Sequence, residues 1–151
     1  MNSKLTFLTI LLFGGLIFTS SCKKEDTPDE PIPTTINVKI DGTDWKTTKV
    51  VSGRAGSDFT FLATKGTETL LITIPEISVD TFLIDGTTST AARYAIDLND
   101  PIKTFYAGSG SIIIESIKGT QFQAIFNLNT KNAIGSKKIF TAGHMVNMEI
   151  P

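Results

Sequence analysis

Cysteine and histidine build most metal sites and many nucleophile–base pairs, and this chain has one of each, Cys22 and His144. Zinc needs three or four Cys, His or carboxylate ligands, so no metal site is expected. No second thiol exists to form a disulfide within the chain. Charge of one sign is also scarce. The chain carries 14 basic and 15 acidic residues, and its basic residues form nothing larger than the pair Lys137-Lys138. Nucleic acid is therefore not an expected partner. Catalytic motifs are missing as well. Gly108-Ser109-Gly110-Ser111 has the wrong spacing for a nucleophile elbow, and neither a phosphate loop nor a dinucleotide fingerprint is present. Asp41-Gly42-Thr43-Asp44 and Asp97-Leu98-Asn99-Asp100 are rich in oxygen ligands but lack the calcium-loop series; Asp and Asn at such places are ordinary turn formers. These absences predict no catalytic residue, no metal and no cofactor.

The N-terminal segment has a definite layout. Lys4 precedes an uncharged stretch at 5–18, and Thr19-Ser20-Ser21-Cys22 follows. A basic start, an apolar middle and small residues before a cut form the order of a secretory signal peptide. The stretch is 14 residues long and contains Gly14-Gly15, short of the roughly 20 apolar residues of a spanning helix. The placement of Cys22 resembles the lipobox of bacterial lipoproteins, although Thr19 stands where that pattern prefers an aliphatic residue. The resemblance implies a thiol that is lipidated and becomes the first mature residue, anchoring the protein in the outer membrane at the cell envelope. Residues 23–33 hold three prolines and six charges, a composition that cannot bury a core and reads as an extended tether. The acids after Cys22 are similar to the export signals of surface lipoproteins. The expected organisation is a signal peptide at 1–21, a lipidated cysteine and tether at 22–34, and one domain at 35–151. Without Lys4 the mature chain has 13 basic and 15 acidic residues, a net charge of −2.

Beyond the tether the apolar period is two. Ile36, Val38 and Ile40 alternate with polar residues; so do Phe59, Phe61 and Ala63, then Phe122, Ala124, Phe126 and Leu128, and finally Val146, Met148 and Ile150. Each run reads as a half-buried strand. The apolar runs at 70–74 and 112–114 read as central strands. Turn residues recur at Asp41-Gly42, Gly53 to Gly56, Lys65-Gly66, Asp85-Gly86, Asn99-Asp100-Pro101, Gly108 to Gly110 and Lys118-Gly119. Strands are expected at 35–41, 45–52, 58–64, 69–74, 80–84, 92–98, 104–107, 110–117, 121–129 and 138–149, the last with Gly143 as its candidate break, and a short turn near Thr90-Ala91-Ala92. No long helical stripe interrupts them. The prediction is an all-β domain, an antiparallel β-sandwich or barrel of about 8–10 strands.

Residues 36–45 read Ile-Asn-Val-Lys-Ile-Asp-Gly-Thr-Asp-Trp. This opening resembles a family of uncharacterised β-rich lipoproteins of Bacteroidota-type bacteria, which begin with an alternating strand, an Asp/Asn-Gly turn and a Trp. The close is similar too, with a strand from Gly110, a turn at Gly119, a return at 122–129 and a last strand at 140–150. The resemblance implies the same fold and envelope location; it supplies no activity.

Two functional readings remain. The first is a non-catalytic surface module that binds a glycan or an envelope protein. Trp45, Tyr94, Phe105 and Tyr106 are its candidate stacking residues. Phe105 and Tyr106 are neighbours in one strand, so one of them faces outward; the 99–110 segment, with Phe105 and Tyr106, is the preferred ligand-binding surface. The second is a small hydrolase using His144 or paired carboxylates. By parity with Val146 and Met148, His144 faces the apolar side unless a bulge at Gly143 reverses it. The scarcity of His and Cys favours the binding module.

Overall fold

The computed structural model describes residues 32–151. Up to residue 31, the segments expected to be a signal peptide and a tether, and Cys22 between them, lie outside the described residues. Ten strands follow one another: β1 (Thr35–Ile40), β2 (Thr43–Thr47), β3 (Val50–Ala55), β4 (Asp58–Lys65), β5 (Glu68–Ile74), β6 (Thr81–Ile84), β7 (Ala91–Ala95), β8 (Thr104–Lys118), β9 (Gln121–Lys131) and β10 (Lys137–Glu149). A 3-10 turn at Pro101–Lys103 is the one helical element among the described residues. All pairings are antiparallel, in the order β2-β1-β10-β9-β8-β7-β5-β4-β3, with β6 added beside the far half of β8. The sheet curls through 247° into a half-barrel, as the period-two pattern predicts.

The alternating apolar residues fill the interior. Phe61, Phe122, Phe126, Phe140, Ile72 and Ile112 are among the largest fully buried side chains. Phe61 and Phe122 meet edge to face at 5.2 Å, as do Tyr94 and Phe140 at 5.3 Å, the geometry favoured by the ring quadrupole. Fully burying such a side chain contributes about 1.5–3 kcal/mol. The register expected for Phe122, Ala124, Phe126 and Leu128 is the observed one: all four are buried.

Local chemistry changes three expected strands. The single strand expected at 45–52 is two, because Thr47 turns the chain. Its hydroxyl donates to Thr64 O at 2.6 Å and accepts from Lys49 N at 3.0 Å. Residues 48–49 thus carry the chain from one sheet edge, β2, to the other, β3, and the inward phase shifts to Val50 while Val51 stands out. Gly53 to Ala55, read as a turn, continue β3. The two strands expected at 104–107 and 110–117 are one. The pairing of β8 with β9 slips between Ala107 and Ser109, and β8 changes partners from β7 to β6. At Gly110, φ is +154° and an added Cβ would collide with the Asn127 carbonyl across the strand, so only glycine lets the backbones approach there. No turn forms at Thr90-Ala91-Ala92; β7 begins at Ala91.

Strand β10 departs most from simple alternation. Its pairing with β9 slips between Phe140 and Gly143 and again between Met145 and Met148, and Ala142 and Asn147 have φ near +50° beside those slips. Each bulge moves the following residues to the opposite face. Phe140, Gly143, Met145 and Met148 consequently point inward. His144 is exposed, against its expected parity, and Val146 is only half-buried.

Candidate functional site

The curl gives the domain two surfaces with different chemistry, the mouth of the half-barrel and its convex outer face. At the mouth, Trp45 of β2, Tyr94 of β7 and Phe105 of β8 are all buried. Trp45 Nε1–H donates to the Glu68 carboxylate on β5, a tie across the gap between the sheet's two ends. Lys138 Nζ lies 2.9 Å from Asp41 Oδ2 and 5.6 Å from the centre of the Phe105 ring. Asp41 also accepts from Ile139 N–H at 2.9 Å. That backbone hydrogen bond, then the Lys138 ammonium, hold the Asp41 carboxyl below the ordinary value, the reverse of what a general acid requires. The Tyr94 phenol is pushed well above its ordinary value, chiefly by burial and then by the negative charge of Glu68. A depression of about 260 Å³ lies here, bordered by these groups and Lys65. Asp41 with Lys138 and Trp45 with Glu68 are paired there, and these pairs brace the barrel end.

The outer face carries the segment singled out from sequence. Phe105 faces in and is buried, whereas Tyr106 is 57% exposed. Cross-strand register sets Tyr106 opposite Arg93 on β7 and opposite Lys131 on β9. Lys131 in turn pairs with Lys137 on β10. Opposite side chains in adjacent antiparallel strands have Cβ atoms about 4.5–5.5 Å apart, so Arg93, Tyr106, Lys131 and Lys137 form one row across four strands. On the other side the row continues through Leu71, Leu62 and Val51.

Beside the cationic half of this row runs a groove of about 330 Å³, lined by Gly108, Ser109, Asn129, Lys131, Lys137 and Ile139, with Thr130 and Lys138 beneath. The slip of β8 at Gly108 forms its floor, because the unpaired residue there has no side chain. Asn129 Nδ2 donates to Ser109 Oγ at 3.3 Å, leaving further hydroxyl and amide capacity on both. The groove's end is held by Asn132, a buried residue in the β9–β10 loop. Its side chain donates to Ile102 O and accepts from Ser136 N at 2.8 Å, fixing that loop to the 3-10 turn before β8.

The hydrolase reading needs a cleft that joins His144 to a carboxylate and a hydroxyl, and only the first two meet, as His144 and Asp44 in one depression. This depression, of about 370 Å³, is separate from the groove and is also lined by Asn37, Lys39, Trp45 and Lys46, and no Ser or Thr hydroxyl lines it. Among the described residues no three His, Cys, Asp or Glu side chains cluster as metal ligands, and no helix is long and apolar enough to cross a membrane. Sequence reasoning reached Tyr106 by strand parity but missed Arg93, Lys131 and Lys137, since they become its neighbours only through long-range register. The adjacent pair Lys137-Lys138 was a faint signal, and its two members turn out to face opposite ways.

The family described as Domain of unknown function (DUF6252) matches residues 33–149, the β-domain almost from end to end. No curated protein and no solved structure matches the chain.

Proposed function

The chain belongs to that family, whose description assigns no activity, and we propose that its domain is a non-catalytic binding module. In this reading a lipid on Cys22 anchors it at the outer membrane, and the convex face around Tyr106 holds a glycan or an envelope protein. The observation that carries the proposal is the position of Tyr106. It is a large aromatic standing out from a rigid sheet, flanked by cations on both neighbouring strands. Aromatic rings with a polar tip favour half-exposed contacts, and sites built on strands hold their geometry better than sites on loops.

An array of glycans and envelope proteins, probed with the purified domain, tests the reading. Tyr106→Ala should weaken whatever binding is found without changing the melting temperature, and His144→Ala should leave binding intact. In cells, Cys22→Ser should release the protein from the membrane fraction or leave its leader unprocessed. Turnover of a substrate that is lost in His144→Ala, with the fold preserved, would replace the binding reading with the hydrolase one.

A further inference from the structure

We propose that the ligand of this face is an acidic polysaccharide, its carboxylate or sulfate groups set against Lys131 and Lys137 and a sugar ring laid on Tyr106. The inference rests on the reading above that the face around Tyr106 is the binding surface, and it adds the charge of the ligand.

The first support is an unfavourable pairing. Lys131 and Lys137 stand directly opposite each other on adjacent strands, where like charges destabilise a sheet. Both are exposed, and neither forms an ion pair with a protein carboxylate among the described residues. Arg93, two strands away in the same row, also lacks such a partner there. In the same region Lys103 and Lys138 have carboxylates close by, at 3.3 and 2.9 Å. Other exposed cations of the domain, Lys46 and Lys118 among them, also lack an ion pair among the described residues; what sets this row apart is that three cations share it and two of them face each other directly. Breaking a local rule without a compensating contact in the protein itself is the mark of a functional position, and an anion seated between the two lysines removes the repulsion.

The second support is shape. From Arg93 to Lys137 the row crosses three strand spacings, about 14 Å, perpendicular to the strands; Lys131 and Lys137 border the groove, and Arg93 and Tyr106 border a second depression of about 220 Å³ beside it in the same row. A point anion needs only one end of such a row. A chain of charged rings matches its whole length, with the aromatic face between two cationic sites and the Ser109 and Asn129 side chains placed to meet sugar hydroxyls. A neutral glycan would use Tyr106 and these two polar groups but not the lysines.

Binding of the intact domain to polygalacturonate, heparin, neutral dextran and duplex DNA tests the inference, with wild type compared with Tyr106→Ala and with Lys131→Gln/Lys137→Gln. The expected result is binding to one or both acidic polysaccharides. It should weaken at least tenfold in the double lysine variant and at least tenfold in Tyr106→Ala, and fade as ionic strength rises from about 0.01 to about 1 M, where the screening length falls from about 30 to about 3 Å. The double variant should melt no lower than wild type, because it removes a repulsion. Equal binding of dextran, unaffected by the lysine changes but lost in Tyr106→Ala, would overturn the acidic ligand and leave the binding surface standing. DNA bound as well as either acidic polysaccharide, with no effect of Tyr106→Ala, would identify a generic polyanion contact and overturn the inference. Binding to any of these that neither variant alters would overturn both the ligand and the surface, as would the absence of binding to all four.

Discussion

Gly143 in β10 is the sharpest test of the core. It sits inward between the two bulges, opposite Phe126 of β9, and the Phe126 ring lies directly over its Cα. A methyl group added there would meet three ring carbons at 2.6–2.7 Å, roughly 1 Å inside the 3.5–4.0 Å contact distance of carbon atoms. Phe126 is 1% exposed and belongs to the packed core. Gly143→Ala should therefore cost about 1–3 kcal/mol as an overpacking change, a fall in melting temperature of about 5–15 °C for a domain of this size. Gly53 supplies the control. Its φ is ordinary and an added Cβ would touch only Thr60 Oγ1, at 3.6 Å, so Gly53→Ala should stabilise by up to about 1 kcal/mol through the unfolded state. Urea denaturation followed by circular dichroism reads both. The cause is isolated by a double-mutant cycle. Phe126→Ala alone should cost about 3–5 kcal/mol, but Gly143→Ala added to it should cost almost nothing, since the methyl enters vacated space. A Gly143→Ala penalty of the same size in both backgrounds, or a Gly143→Ala that behaves like Gly53→Ala, would refute the packing argument.

Trp45→Phe keeps the buried ring but removes the N–H that reaches Glu68; loss of this charged hydrogen bond across the barrel gap should cost about 1.5–3 kcal/mol, measured by urea denaturation, and an unchanged midpoint would mean the tie does not hold the gap. Tyr94 controls the alkaline limit. Its folded pKa is raised above the ordinary 10.0, so the folded state keeps a proton that the unfolded chain releases, and stability present below about pH 10 is lost as pH rises above it. Tyr94→Phe should flatten that loss, and parallel stability curves for wild type and variant from about pH 8 to about pH 11 would count against the burial of the phenol.

How far the fold was legible depended on the range of the interactions that decide it. Side-chain alternation is local, so the inward faces of β1, β4 and β9 could be read from Ile36, Phe59 and Phe122 onward. The errors fall where a side chain or a distant strand interrupts the period. Thr47 splits β2 from β3 by a hydroxyl contact to Thr64, 17 residues away. Gly108 and Gly110 are turn residues by type, yet they permit β8 to bend and continue. His144 faces out because one extra residue separates it from Met148 and another from Phe140, the reversal that a bulge at Gly143 would bring, and bulges leave little trace in a hydrophobic pattern. The candidate site shows the same division. One strand suffices to say that Phe105 and Tyr106 point apart; finding Lys131 and Lys137 beside Tyr106 needs the pairing of four strands.

In the proposed binding reading, that division also separates stability from recognition. The residues that set the barrel, such as Phe61, Phe122 and Met148, point inward, and the polar groups at its mouth are held in pairs, Asp41 by Lys138 and Glu68 by Trp45. The convex row is answerable to neither demand. Nothing inside the domain requires Lys131 opposite Lys137, and strand physics disfavours it. Substitutions in the row should therefore change binding while the melting temperature holds or rises, and substitutions beneath it should do the reverse. Asn132 is the place where the two demands meet, since its buried amide fixes the loop that ends the groove to the turn that begins β8. A loosened Asn132 would leave every groove side chain present but its geometry unset, and would thus separate the chemistry of the row from its preorganisation.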